Sequence, residues 1–143
     1  MPEINADRIR DLLGEMRNAV AQVRRHMDQE DSVLLSDAVQ LGSLKYHLII
    51  AIQAMIDICN HIVTRRGARA PQDYADCFAE LGRLAGWKSG DVHRLMAIAR
   101  FRNLLVHLYW QVNDQRVLDT CRAHLEDFRD FEERLRILLE GSV

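Results

Sequence analysis

Eight residues of this chain, Arg102 to Tyr109, read R-N-x-x-x-H-x-Y. An arginine, an amide, an imidazole and a phenol fall together on what otherwise reads as a buried helix, where unpaired polar groups are costly. They offer a fixed positive charge, a hydrogen-bonding amide and a group that exchanges protons near neutral pH. Those are the parts needed to handle a phosphodiester without a metal. RNA carries its own nucleophile in the 2′-hydroxyl. An imidazole at His107 can take that proton or protonate the leaving 5′-oxygen. A guanidinium at Arg102 can stabilise charge building on phosphorus, and Asn103 can orient His107 from one turn away. The plainer reading of the same residues is an arginine paired with a carboxylate, a satisfied histidine and a packed tyrosine.

The helix that must carry these groups is capped by Ser89 and runs to about Trp110, with Val92, Leu95, Met96, Ala99, Leu104 and Leu105 as apolar contacts. At about 100° per residue, setting Arg102 at zero puts Tyr109 at about −20°, Asn103 at about 100° and His107 at about 140°. One flat face cannot hold all four. Either the helix frays before Tyr109, or a groove wraps around it, as a cleft between two copies of the chain would do.

The other elements follow from apolar spacing. Residues 5–29 carry Ile9, Leu13, Met16, Val20, Val23 and Met27 in one stripe, with Asn5 as N-cap. Residues 33–66 form the longest helical segment, stopped by Gly67 and Pro71. Residues 72–85 form a shorter helix with Tyr74, Phe78, Leu81 and Leu84 inward, closed by Gly86. The last helix covers about 115–139, capped by Asn113 or Asp114. No strand alternation, repeat or linker is visible. The expected fold is all-α, an up-and-down bundle of four long helices plus a shorter one, formed by a single domain over residues 1–143.

Composition narrows the function classes. Hydrophobic residues make up 48% of the 143, with two prolines, as in a globular helical protein. A net charge of −2 excludes a uniformly basic nucleic-acid binder, so any polyanion site rests on local clustering. Arginine outnumbers lysine 17 to 2, so the cations are mostly planar forks suited to phosphate. Cys59, Cys77 and Cys121 form no CxxC pair, which signals neither a zinc site nor a redox motif. Cys59 and Cys121 read as buried, reduced core residues. The N-terminal MPEINADRIRD lacks the apolar core of a signal peptide. The apolar run Leu48–Ile56 is interrupted by Gln53 and too short to span a bilayer. The expected location is cytoplasmic, without a membrane partner.

Secondary candidates are weaker. Asp57 and His61 share a helix face, and with His47 they suggest a metal site that no E-x-x-H pair completes; we expect no metal and no cofactor. Asp57 and His61 read better as a polar pair lining a cleft or a dimer interface. Arg65, Arg66 and Arg69 cluster at a helix end, either as solvated cations at a helix C-terminus or as a patch that tracks RNA phosphates. Trp87 and Trp110 read as packing residues rather than base-stacking ones.

From about Tyr46 to Phe131 the chain resembles the HepT-like branch of the HEPN superfamily. The likeness is carried by AMIDICNHIV (54–63), PQDYADCFAEL (71–81) and RFRNLLVHLYWQVND (100–114). The last contains the R-x-x-x-x-H-x-Y signature with a polar residue directly after the arginine. The resemblance implies an all-helical homodimer with a cleft at the dimer interface. It implies a metal-independent RNA endonuclease serving as the toxin of a type VII-like toxin–antitoxin system, with a minimal nucleotidyltransferase antitoxin as partner. It implies Arg102 and His107 as catalytic residues, Asn103 as the intervening polar residue, and Tyr109 as the acceptor of AMP from the antitoxin. The alternative within the family is a HEPN binding module that holds a nucleotide or a nucleotidyltransferase without cutting RNA.

Overall fold

The structure is a computed structural model that describes residues 3–67 and 69–140. Its regular elements among these residues are all helical: α1 (Ala6–Met27), α2 (Asp31–Leu35), α3 (Ala38–Arg66), α4 (Tyr74–Ala85), α5 (Ser89–His107) and α6 (Asp114–Glu140), with a 3₁₀ turn over Tyr109–Gln111. The four long helices and the shorter α4 match the apolar stripes of the sequence.

Helix α3 is the central element and packs against α1, α2, α4 and α5, while α6 closes against α1, α2 and α5. Its buried residues run almost all the way round, from Leu44 and Leu48 through Ile52, Met55, Ile56 and Cys59 to Val63. By length and composition alone this helix is apolar enough to cross a membrane, although the run Leu48–Ile56, interrupted by Gln53, is too short to do so. Enclosure by its neighbours accounts for that apolarity, since more than half of its most apolar stretch is buried inside the bundle. Phe131 of α6 meets Phe78 and Trp87 edge-on, each at 6.1 Å between centroids, and ties α4 and the α4–α5 turn to the core.

Three element boundaries differ from the sequence reading. The segment expected to be helical over 33–66 breaks at Ser36–Asp37, where Asp37 takes an extended backbone and its carboxylate accepts the Gln40 amide. That is an N-cap. Ser89 does not cap α5: Lys88 occupies the extended cap position and Ser89 is already helical. Helix α5 ends at His107 instead of reaching Trp110, because Leu108 leaves helical geometry (φ −129°, ψ 38°). The caps at Asn5, which accepts from the Arg8 amide, and Asn113, which accepts from the amides of Gln115 and Arg116, are as expected.

Two glycines set how α4 meets α5. Gly86 reverses the chain in the left-handed region (φ 70°), a conformation L side chains rarely adopt. At Gly82 an added Cβ would lie 2.3 Å from Cγ2 of Val92, so the close approach of α4 to α5 requires the missing side chain.

All three cysteines are buried and reduced. Burial raises the Cys121 thiol to about 12. It also pushes Cys59 well above the ordinary thiol range, reinforced by Cys77, whose Sγ lies 2.9 Å away.

Candidate functional site

The motif sits where the last turn of α5 passes the first turn of α4. Arg102 is half-buried, with its guanidinium carbon 5.3 Å from the centroid of the Tyr74 ring. Tyr74 opens α4 behind Asp73, whose carboxylate accepts the Asp76 amide. The cap fixes the start of α4, and α4 places an aromatic face under a guanidinium, a favourable contact. One Nη of Arg102 donates to Asn103 Oδ1 at 3.3 Å. Its Nε is buried without a hydrogen-bond partner among the described residues. No carboxylate of the described residues lies within ion-pair distance of Arg102. An arginine held by an aromatic ring, with donors unmet and charge uncompensated, is ready for an anion.

His107 is the last residue of α5 and is exposed, as are Leu108, Tyr109 and Trp110. Fraying before Tyr109 is thus the arrangement within one chain: the 3₁₀ turn carries Tyr109 out of helical register. The Tyr109 side chain is 71% exposed. Asp114, the first residue of α6, pairs with Lys45 Nζ at 2.6 Å and fastens the end of the motif loop to α3.

The secondary candidates separate. His61 Nε2 accepts the backbone N–H of Asn5 at 2.9 Å, so the imidazole holds the start of α1 against α3. Burial lowers its pKa, helped by the nearby charges of Arg65 and Arg8. A neutral ring is what that acceptor role requires. Asp57 accepts from Gln53 Nε2 at 2.8 Å, and His47 Nδ1 donates to the Ser43 carbonyl at 2.8 Å. Among the described residues no three metal-ligating side chains converge.

Arg69 grips both oxygens of Asp76, at 2.6 and 2.7 Å, and reaches Glu80, which Arg83 also holds. Arg65 donates to the His61 carbonyl, and Arg66 is exposed at the end of α3. Of that cluster, Arg69 is the one fully engaged by carboxylates.

Two features escaped the sequence reading. Tyr74 is the support for Arg102, a contact between separate helices that no local spacing announces. Trp110, expected to pack, is 65% exposed; Trp87 does pack, on Phe131. The apolar environment that Leu108 and Trp110 suggest in sequence is absent because the helix has ended.

Comparison with known proteins places this geometry. The model of the ribonuclease HepT-like family matches residues 16–135. The mRNA nuclease HepT of Shewanella oneidensis is 29% identical over 111 residues, which is 78% of this chain and 75% of that protein. The tri-AMPylated HEPN toxin of Shewanella oneidensis, solved in complex with its MNT antitoxin, superposes with a TM-score of 0.84 at 23% identity, covering 93% of this chain and 99% of that one. YutE of Bacillus subtilis, a cytosolic protein of unknown function, superposes equally well (TM-score 0.84, 20% identity, 100% and 96% covered).

Proposed function

The chain belongs to the HepT-like ribonuclease family, and from that premise we propose that it is a metal-independent RNA endonuclease acting as the toxin of a type VII-like toxin–antitoxin pair. The observation that carries the reading is Arg102: a half-buried guanidinium supported by Tyr74 and lacking a carboxylate partner among the described residues, five positions before an exposed histidine.

The 2′-hydroxyl attacks the adjacent phosphorus and gives up its proton to a general base. The bond from phosphorus to the 5′-oxygen breaks, and that oxygen receives a proton from a general acid. The products are a 2′,3′-cyclic phosphate and a 5′-hydroxyl end, and water is not consumed. His107 supplies one of these proton transfers. In a homodimer whose two motifs face one cleft, the two histidines supply both. Arg102 stabilises the phosphorane charge, and Asn103, bonded to Arg102, sets its orientation. Arg65 and Arg66 lead the strand by its phosphates.

Tyr109 is the acceptor of AMP from a minimal nucleotidyltransferase antitoxin. The name of the Shewanella toxin, tri-AMPylated and complexed with an MNT antitoxin, supports this reading, as does the exposure of Tyr109 beside the motif. An added AMP places a bulky anion next to Arg102 and His107 and shuts the cleft. The cytosolic description of YutE agrees with cytoplasmic action on cellular RNA.

The test is cleavage of total cellular RNA by the purified protein in EDTA, beside His107→Ala. Cutting that leaves cyclic-phosphate ends and disappears in the variant is expected. A folded, unmodified protein that cuts none of several RNA classes, and whose expression does not arrest growth, would favour the non-cutting binding module.

A further inference from the structure

We propose that Trp110 forms a stacking subsite for an unpaired base of the RNA strand next to the cleavage motif. This rests on the ribonuclease reading and adds a binding site to it. Two large aromatic side chains stand out from the surface just after the motif histidine: Tyr109 at 71% and Trp110 at 65% exposure. Tyr109 and Trp110 meet edge to face, with centroids 5.3 Å apart and planes at 82°. A perpendicular pair covers at most one face of one ring, so an indole or phenol face stays open to a base. Both residues lie in the short 3₁₀ turn.

Charge selects a nucleic acid over an apolar protein as the occupant. Arg100 lies on the His107 face of α5, two turns earlier and about 10 Å away along the axis. It is exposed and has no ion-pair partner among the described residues. Arg116, on the first turn of α6, is also exposed, with its guanidinium 6.0 Å from the Phe101 ring. Arg102, eight residues before Trp110, and Arg116, six after it, flank the exposed rings along the chain, a combination of stacking surface and cations of the kind that binds single strands.

The experiment uses the full chain carrying Trp87→Phe, which leaves Trp110 as its one indole. A short unpaired oligoribonucleotide with 2′-O-methyl groups throughout, which cannot be cut, is titrated while indole fluorescence is read. Quenching on binding is expected. Read by the anisotropy of a dye on the same oligonucleotide, Trp110→Ala should weaken binding about tenfold and Trp110→Phe much less. For natural RNA, Trp110→Ala should raise KM and leave kcat nearly unchanged. Equal affinity in Trp110→Ala, or binding without quenching, would overturn the subsite. So would sedimentation showing that Trp110→Ala turns a dimer into monomers, since the ring would then be a contact between copies. Quenching by a parent protein that never cuts RNA would sink the nuclease reading and keep the subsite. Cutting that ignores Trp110 would do the reverse.

Discussion

Arg102 and Arg69 are the same residue type, and the sequence offers both as phosphate ligands, yet their surroundings are opposite. Arg69 lies in the α3–α4 connection with its fork closed on Asp76 and its Nε near buried Glu80. Arg102 lies on a helix with an aromatic ring beneath it, an amide beside it and a buried Nε that nothing fills. Both are positioned by α4: Asp76 and Glu80 hold one, Tyr74 holds the other. One short helix thus neutralises one cation and presents another. Local arginine density says little about anion binding; what matters is whether a carboxylate has already taken the fork.

Removing each guanidinium separates the two most sharply. Arg102→Ala should lower RNA cleavage by about 10²–10³-fold, as loss of a donor to a developing oxyanion does. Arg102→Lys should restore little of it, because a point charge replaces a planar fork. Arg69→Ala should leave the cleavage rate unchanged while lowering the unfolding midpoint. Equal losses of activity in the two alanine variants, measured on folded protein, would erase the distinction.

A change that touches neither arginine tests whether α4 is what positions both. Gly82→Ala puts a methyl group into Val92 of α5. Overpacking of this kind destabilises by about 1–3 kcal/mol. Urea unfolding should show that loss, and cleavage by the protein that remains folded should also fall as Tyr74 shifts under Arg102. Unaltered stability would mean that α4 and α5 are not in close register at Gly82.

The sequence carried the helices better than their ends. Asn5, Gly86 and Asn113 announce their boundaries through side-chain caps or backbone freedom, and the apolar stripes name most of the core. The break at Ser36–Asp37 is hidden because VLLSDAVQL keeps helical spacing of apolar residues straight through it. The end of α5 is hidden for the same reason, as Leu108 and Trp110 look like two more core residues. In the site, residue type and spacing pick out Arg102, Asn103, His107 and Tyr109. The pairing of Arg69 with Asp76 and the stacking of Tyr74 on Arg102 depend on how α3, α4 and α5 come together. Spacing along one helix carries no trace of either.

The aromatic support of Arg102 should have a smaller, measurable effect. Tyr74→Leu removes the ring and should lower cleavage by up to about tenfold, the size of a partly buried cation–π contact. Tyr74→Phe keeps the ring and should stay near the parent rate. A leucine variant as active as the phenylalanine one would show that Arg102 does not need the ring.

The finest test lies on the Arg69 side and uses acid. The Arg69 guanidinium, followed by the Gln72 amide, holds the Asp76 carboxyl at about 2, below its ordinary value of 3.8. A carboxyl held down in the folded state binds fewer protons than in the unfolded chain, so folding gains stability above the ordinary value. That gain is lost as pH falls through about 2. In Arg69→Ala the folded and unfolded values converge, and the contribution to acid sensitivity in this window flattens. Carbon-detected NMR of the Asp76 carboxyl should show its titration moving up toward 3.8 in the variant. His61 provides an internal reference: its value is lowered by burial, so its contribution to stability is present above about 6.5 and declines as pH falls below it. Because its acceptor role toward Asn5 involves no Asp76 contact, that decline should survive in Arg69→Ala. A variant in which Asp76 still titrates near its parent position would place the main restraint in the Gln72 amide ahead of α4, and the two arginines would then differ in exposure more than in partners.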